Sequence, residues 1–347
     1  MADLDHGPSR RQILRITAVA GVSLALGGGL TRAFLRRAGL RELRETRTQM
    51  GTLVTISVVH PDAAVARAMV AETFAVMERL EGLLSRHREG TPVSRLNREG
   101  VVLAPPPELV DVVQRALEYS SLSKGAFDIT VEPLLNLYAS SFSRRGIPPT
   151  DSQVQEALSR VDYRKVLLDD DRIAFGKNGM SITLDGIAKG YIIDQAVGVL
   201  RERGADQVLV NAGGDMASVG DGLWGDGWRV AIQNPRDPGR HIGVLRLRGE
   251  CVATSGDYLQ SFTQDRRFHH ILDPRTGTPA DGVSSVTIVT PTALSADALS
   301  TAIFVLGPEH GLTLLSELDG VEGVVVTKGQ DVITSSGLDR YIARGTI

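Results

Sequence analysis

The chain has 347 residues, 42% of them hydrophobic and 23% charged, an ordinary globular composition sufficient for one large domain or two small ones. Its formal net charge of −3 argues against a nucleic-acid binder, which carries a basic excess. Cys251 is the only cysteine, which excludes an intramolecular disulfide and a cysteine-based zinc cluster, and it lies too deep in the chain to be an N-terminal lipid anchor itself.

The chain opens with Ser9-Arg10-Arg11-Gln12-Ile13-Leu14, followed by an apolar, glycine-rich run over residues 16–30. Paired arginines before a modest apolar stretch read as a twin-arginine export signal. The run is shorter than the roughly 20 apolar residues a spanning helix needs. The Arg-rich residues 31–47 read as a linker, so residues 1–45 are set aside as signal and linker, and residues 46–347 as one folded unit.

Residues 50–59 are rich in β-branched side chains and predict a strand. Val65, Met69, Phe74, Met77, Leu80 and Leu84 recur at helical spacing and predict a helix over 61–84. A polar loop over 85–100 contains Ser94-Arg95-Leu96-Asn97. A helix over 107–121 and the turn Gly125-Ala126-Phe127-Asp128-Ile129-Thr130 follow. Residues 151–161 predict a short helix. Apolar triplets at 166–168 and 173–175 around an acidic turn predict a hairpin. Residues 181–184 predict a strand running into Asp185-Gly186-Ile187-Ala188-Lys189-Gly190, which opens a helix through Leu200. A buried strand at 208–210 ends at Asn211-Ala212-Gly213-Gly214-Asp215. Strands at 228–233, 242–247 and 284–289 precede a helix over 296–306 stopped by Gly307. Strands and helices mix without strict alternation, which predicts an α+β fold.

Three segments carry candidate chemistry. Asp297 and Thr301 lie four apart on one helical face, behind the candidate N-cap Ser295. A carboxylate and a hydroxyl there are hard oxygen ligands of the kind Mg²⁺ or Ca²⁺ takes, although a capped helix explains the same pair. The turn at 184–190 aims backbone groups from a helix start and adds the phosphate-seeking Lys189, without the spacing of a Walker loop. The stretch from Arg266 to Gly277 puts His269, His270, Asp273 and several cations in one loop. Ser255 lies in Thr254-Ser255-Gly256-Asp257, which is not a hydrolase elbow.

Taken together and in order, these segments resemble the ApbE family of FAD:protein FMN transferases, over essentially all of the chain from Met50 onward. The motifs are Met50-Gly51-Thr52, residues 94–97, residues 125–130, Gly186-Ile187-Ala188-Lys189-Gly190-Tyr191, residues 211–215, residues 269–277, and Asp297 with Thr301. The resemblance implies a single large catalytic domain of mixed sheets with packed helices, related to the tunnelling fold. It implies FAD as substrate and Mg²⁺ as the metal, held by the Gly186 carbonyl, Asp297 and Thr301. It implies flavin-nucleotide contacts at Met50, Ala126, Phe127, Asp128, Lys189 and Leu272. The reaction it implies moves FMN from FAD to a threonine hydroxyl of a redox membrane or exported acceptor protein, with release of AMP outside the cytoplasm. A threonine hydroxyl needs a base; His270 is the candidate and Asp257 the reserve. Two positions depart from the family pattern. Thr183 stands where a carboxylate is common, with Asp185 two residues on to substitute for it. His87 stands where a tyrosine is common, which weakens stacking. The alternatives are an FAD pyrophosphatase that uses the same residues, and a non-catalytic exported FAD-binding protein.

Overall fold

The computed structural model describes residues 39–169 and 171–343. The export-signal reading of the N-terminus therefore lies outside the described residues, as does Asp170 in the acidic turn.

The fold is α+β. An eight-stranded sheet has the order β1-β2-β6-β7-β10-β11-β12-β13, and every neighbouring pair is antiparallel. Its strands are β1 (Arg41–Gln49), β2 (Thr52–His60), β6 (Val208–Ala212), β7 (Asp215–Val219), β10 (Cys251–Gly256), β11 (Val283–Thr290), β12 (Glu322–Thr327) and β13 (Val332–Thr334). Two smaller sheets are formed by β3 (Val101–Leu103), β5 (Arg172–Phe175) and β4 (Val166–Asp169), and by β8 (Trp228–Gln233) with β9 (His241–Leu247).

Among the described residues, seven α-helices accompany the sheets. They are α1 (Ala63–Leu84), α2 (Pro92–Glu99), α3 (Pro107–Leu122), α4 (Glu132–Arg145), α5 (Asp151–Leu158), α6 (Ala188–Glu202) and α7 (Ala293–Ser316). Three of them, α1, α6 and α7, pack on the large sheet. Helix α1 packs on β1, β2 and α6, while α7 packs on β10, β11 and α6. Strand β11 is buried at all eight positions and the first half of α7 is buried nearly all round, because both lie in the interior. Helix α7 is interrupted at Gly307, where φ is 77° and Pro308 follows, so the expected stop is real although a second helical stretch continues beyond it.

Three expectations need correction. Residues 41–47 are not linker but most of β1, an edge strand with charged side chains on its open face, whose Arg47 lies over the Phe74 ring at 4.3 Å. The polar loop contains α2, which has a Thr91 N-cap and a left-handed Gly100 at its end. Residues 181–184 are buried but pair with no strand. Asn97 takes the strand partner's place: its amide donates to the Ile182 carbonyl at 2.8 Å and accepts from the Ile182 N–H at 2.7 Å.

The α6–α7 crossing is close because Gly190 has no side chain. A Cβ there would lie 2.3 Å from the Ala293 carbonyl oxygen. Asp194 on α6 accepts the Ala293 and Leu294 N–H groups at 2.7 and 2.9 Å, which satisfies the first orphan donors of α7.

Candidate active site

The α6–α7 crossing brings the three expected metal ligands together. Asp297 is buried on α7 and accepts the Gly190 N–H at 3.1 Å. Thr301, one turn on, faces Gly186: a Cβ on that glycine would sit 3.3 Å from the Thr301 hydroxyl and 3.3 Å from the Phe127 ring. Ser255 on β10 hydrogen-bonds Thr301 at 3.1 Å and Ser300 at 2.9 Å, which orients the hydroxyl.

Charge in this cluster is unbalanced. Lys189 pairs with Asp215 at 2.6 Å, and Asp215 also accepts the Thr254 N–H at 3.2 Å. Burial works against the lysine's charge, but Asp215 and then Asp297 hold its ammonium well above the usual lysine range. Burial, and then the negative charge of Asp215, push the Asp297 carboxyl up to about 7. Two buried carboxylates thus share one ammonium. A carboxylate, a hydroxyl and a glycine-turn carbonyl beside that excess negative charge fit a hard divalent cation such as Mg²⁺. Among the described residues no group of three His, Cys, Asp or Glu side chains converges as a softer metal site would require.

His270 sits on a small hairpin. Its backbone N–H and its Nδ1–H both donate to the Gln260 carbonyl at 3.0 Å, and the neighbouring Phe262 N–H donates to the Phe268 carbonyl at 2.8 Å. A carbonyl only accepts, so Nδ1 carries the proton and Nε2 keeps the lone pair a base needs. Burial lowers the His270 pKa, and the charges of Asp185, Lys189 and Asp257 all act on it, so it lies within electrostatic range of the cluster. Phe142 stacks on Phe262 at 5.3 Å between ring centroids and packs on Phe268, which anchors the hairpin to α4.

His269 points the other way. It is fully buried, donates from Nε2 to the Ala280 carbonyl at 2.9 Å and accepts the Ile271 N–H at Nδ1. Burial, then the charges of Lys328 and His270, push its pKa down from 6.5 to about 4. The unfolded chain therefore takes up this proton first. The stabilisation is complete above pH 6.5 and is lost progressively as the pH falls towards 4, amounting to about 3 kcal/mol. We expect His269→Gln to flatten the decline of Tm between pH 6.5 and 4; an unchanged slope would refute this account.

Asp257 does not suit the role of reserve base. It is fully buried, grips Arg236 with both oxygens at 2.7 and 2.8 Å, and takes Lys328 at 2.6 Å. Despite burial, these cations hold its carboxyl below the usual range, so it has little affinity for a proton. It acts as the anchor of two cations.

The expected nucleotide contacts divide in a similar way. Met50 forms the β1–β2 turn with Gly51; both have positive φ (52° and 68°), which is unusual for methionine, and the Met50 N–H donates to Glu81 at 2.9 Å. Ala126 and Phe127 are buried, with Phe127 against Gly186. Asp128 is a correction. One of its oxygens accepts the Thr130 N–H and hydroxyl and the other the Tyr163 N–H, so its side chain caps a turn rather than facing a ligand. The Leu272 side chain packs among Leu134, Tyr138 and Val154, leaving only its backbone for a ligand.

Thr183, Asp185 and His87 converge through a residue the sequence reading passed over. Arg86 donates from Nε to Thr183 at 3.1 Å and to Asp185 at 2.9 Å, from Nη2 to Asp185 at 2.9 Å, and from Nη1 to Glu132 at 2.8 Å. The exposed His87 approaches Asp185 at 3.4 Å. Asp215 was also passed over as a site residue; its position after two glycines that close a buried strand was the available signal.

Residues 50–325 match the family model described as the ApbE family. Among curated relatives, an FAD:protein FMN transferase of Treponema pallidum is 33% identical over 327 residues, covering 87% of this chain and 89% of the relative. One from Klebsiella pneumoniae is 32% identical over 297 residues, covering 83% and 90%. Among solved structures, the ApbE protein of Thermotoga maritima superposes with a TM-score of 0.79 at 31% identity, covering 87% of this chain and all of that one. The flavin transferase ApbE of Vibrio cholerae gives 0.78 at 26% identity, covering 87% and 99%.

Proposed function

The chain belongs to the ApbE family, and on that premise we propose that it is a Mg²⁺-dependent FAD:protein FMN transferase that joins FMN to a threonine hydroxyl of an acceptor protein and releases AMP. The observation that carries this reading is the charge-deficient cluster of Asp297, Asp215 and Lys189 beside the Gly186 turn and the Thr301 hydroxyl. In it, Asp297, Thr301 and the Gly186 carbonyl would hold the metal. Mg²⁺, when bound, offsets negative charge on the pyrophosphate oxygens.

The protein's own groups do the rest. Lys189, steadied by Asp215, faces the phosphates with a charge that burial does not remove. His270 Nε2 takes the proton from the threonine hydroxyl as its oxygen bonds to the FMN phosphorus. The bond from that phosphorus to the bridging oxygen breaks, and AMP departs with the electron pair. The acceptor is read as a redox protein at the membrane or exported beyond it. Export by the twin-arginine signal completes the proposal, with the enzyme working outside the cytoplasm.

The test is incubation of purified protein with FAD, Mg²⁺ and a candidate acceptor, followed by denaturation. Covalent flavin fluorescence on the acceptor is expected. Free FMN with an unlabelled acceptor points to the pyrophosphatase instead, and intact FAD to a binding protein.

A further inference from the structure

The buried segment before Gly186 is held by two side chains and one backbone hydrogen bond rather than by a sheet. Residues 180–184 have no strand partner. Asn97 clips Ile182, the Thr183 N–H donates to the Ile129 carbonyl at 2.8 Å, and Arg86 takes Thr183 and Asp185. Arg86 reaches Asp185, the residue next to Gly186, at 2.9 Å, closer than the exposed His87 at 3.4 Å.

We propose that Arg86, backed by Glu132, is a positioning residue that fixes the 183–186 turn and thereby sets the affinity of this chain for FAD together with Mg²⁺. The proposal rests on the flavin-transferase reading above. Arg86 follows α1, Glu132 opens α4, and residues 183–185 precede α6, so one guanidinium joins three segments separated by 46 to 99 positions in the chain. Its planar fork meets two acceptors at one edge and a third at the other, a geometry that a lysine ammonium does not reproduce.

Glu132 is a costly partner. It is buried, its Oε1 is shared between Arg86 and Asn136, and its Oε2 is buried with no partner. An arrangement that leaves a carboxylate oxygen unsatisfied is retained here by Arg86, which it holds from behind. Arg86 ties Thr183 and Asp185 of the turn to the buried carboxylate of Glu132 at the start of α4. The carbonyl of Gly186 therefore inherits its direction from Arg86, which acts through the turn.

The test compares wild type with Arg86→Ala and Arg86→Lys. FAD binding is read from quenching of flavin fluorescence over a Mg²⁺ titration, alongside kcat and Tm. In Arg86→Ala we expect the Mg²⁺ concentration that half-saturates FAD binding to rise by about 10- to 100-fold, the range found when outer partners of metal ligands are removed. Arg86→Lys is expected to recover only part of this, and the loss should fall on half-saturation far more than on kcat. An unchanged half-saturation in Arg86→Ala, or full recovery by lysine, overturns the proposal. Should Arg86→Ala fail to fold, Arg86→Lys decides alone, since it keeps the charge and loses the fork: a raised half-saturation supports the proposal and a wild-type value overturns it. Wild type that binds FAD with Mg²⁺ but labels no acceptor refutes the transferase reading, while the binding comparison still judges Arg86.

Discussion

Asp297→Asn is expected to cut Mg²⁺-dependent turnover by at least about 100-fold, more than the loss of an outer partner costs a metal site, and to raise rather than lower the Tm of the metal-free protein. Both expectations follow from one feature. Asp297 is buried, its carboxylate has the Gly190 N–H as a donor, and burial and Asp215 push its carboxyl up to about 7. Its negative charge is therefore unwelcome in the fold without a cation beside it. Asparagine keeps the shape and can still accept from Gly190, removes the repulsion from Asp215, and leaves the Lys189–Asp215 pair intact. It cannot replace an anionic oxygen ligand. Turnover across a Mg²⁺ series and thermal melts in chelator check the two halves. Wild-type Mg²⁺-dependent turnover would sink the metal assignment, and a marked fall in Tm would show that Asp297 holds the fold instead.

His270→Ala should lower kcat by about 10²- to 10⁴-fold, the usual contribution of a positioned base, while FAD binding stays close to that of wild type. The reason is geometric. Nδ1 is committed to the Gln260 carbonyl, leaving Nε2 as the free lone pair. Burial keeps the imidazole pKa below 6.5, so the ring is neutral and ready to accept a proton at neutral pH. Activity then falls as the pH drops and the ring takes up its proton. At saturating Mg²⁺ the acid limb of kcat should lie below pH 6.5 and vanish in His270→Ala. The effect should spare binding, because the hairpin is held by its own hydrogen bonds and by the Phe142–Phe262 stack rather than by the imidazole alone. An alanine variant with wild-type kcat, or one that retains the same acid limb, would remove His270 from the chemistry.

Most long elements were legible in the sequence because their signals are local. The apolar positions from Met69 to Leu84 bury one face of α1, and the hairpin of β4 and β5 follows its flanking triplets. The elements that were missed are mostly short or open to solvent. Strand β1 is an edge strand with an open charged face, so no apolar period marks it. Strand β13 is only three residues long, whereas β12 carries the β-branched run Val324-Val325-Val326, a local signal that was available. Helix α2 had legible caps in Thr91 and Gly100, but its eight residues bury only Pro92, Val93 and Leu96. The 181–184 stretch has strand-like composition, yet a side-chain amide fills the place of a neighbouring strand.

The same division runs through the site. Spacing alone put Asp297 and Thr301 on one helical face, since 3.6 residues make a turn, and the motif order alone placed the chain in its family. What spacing cannot encode is which charges meet across the fold. Asp215 claims Lys189, Asp257 is occupied by Arg236 and Lys328, Asp128 turns inward, and Arg86 gathers Glu132, Thr183 and Asp185. Apart from the local Asp128–Thr130 bonds, these are through-space contacts between segments distant in the chain. Whether a carboxylate serves as ligand, base or anchor depends on its burial and on the sign of the charge beside it, and both are properties of the packed molecule.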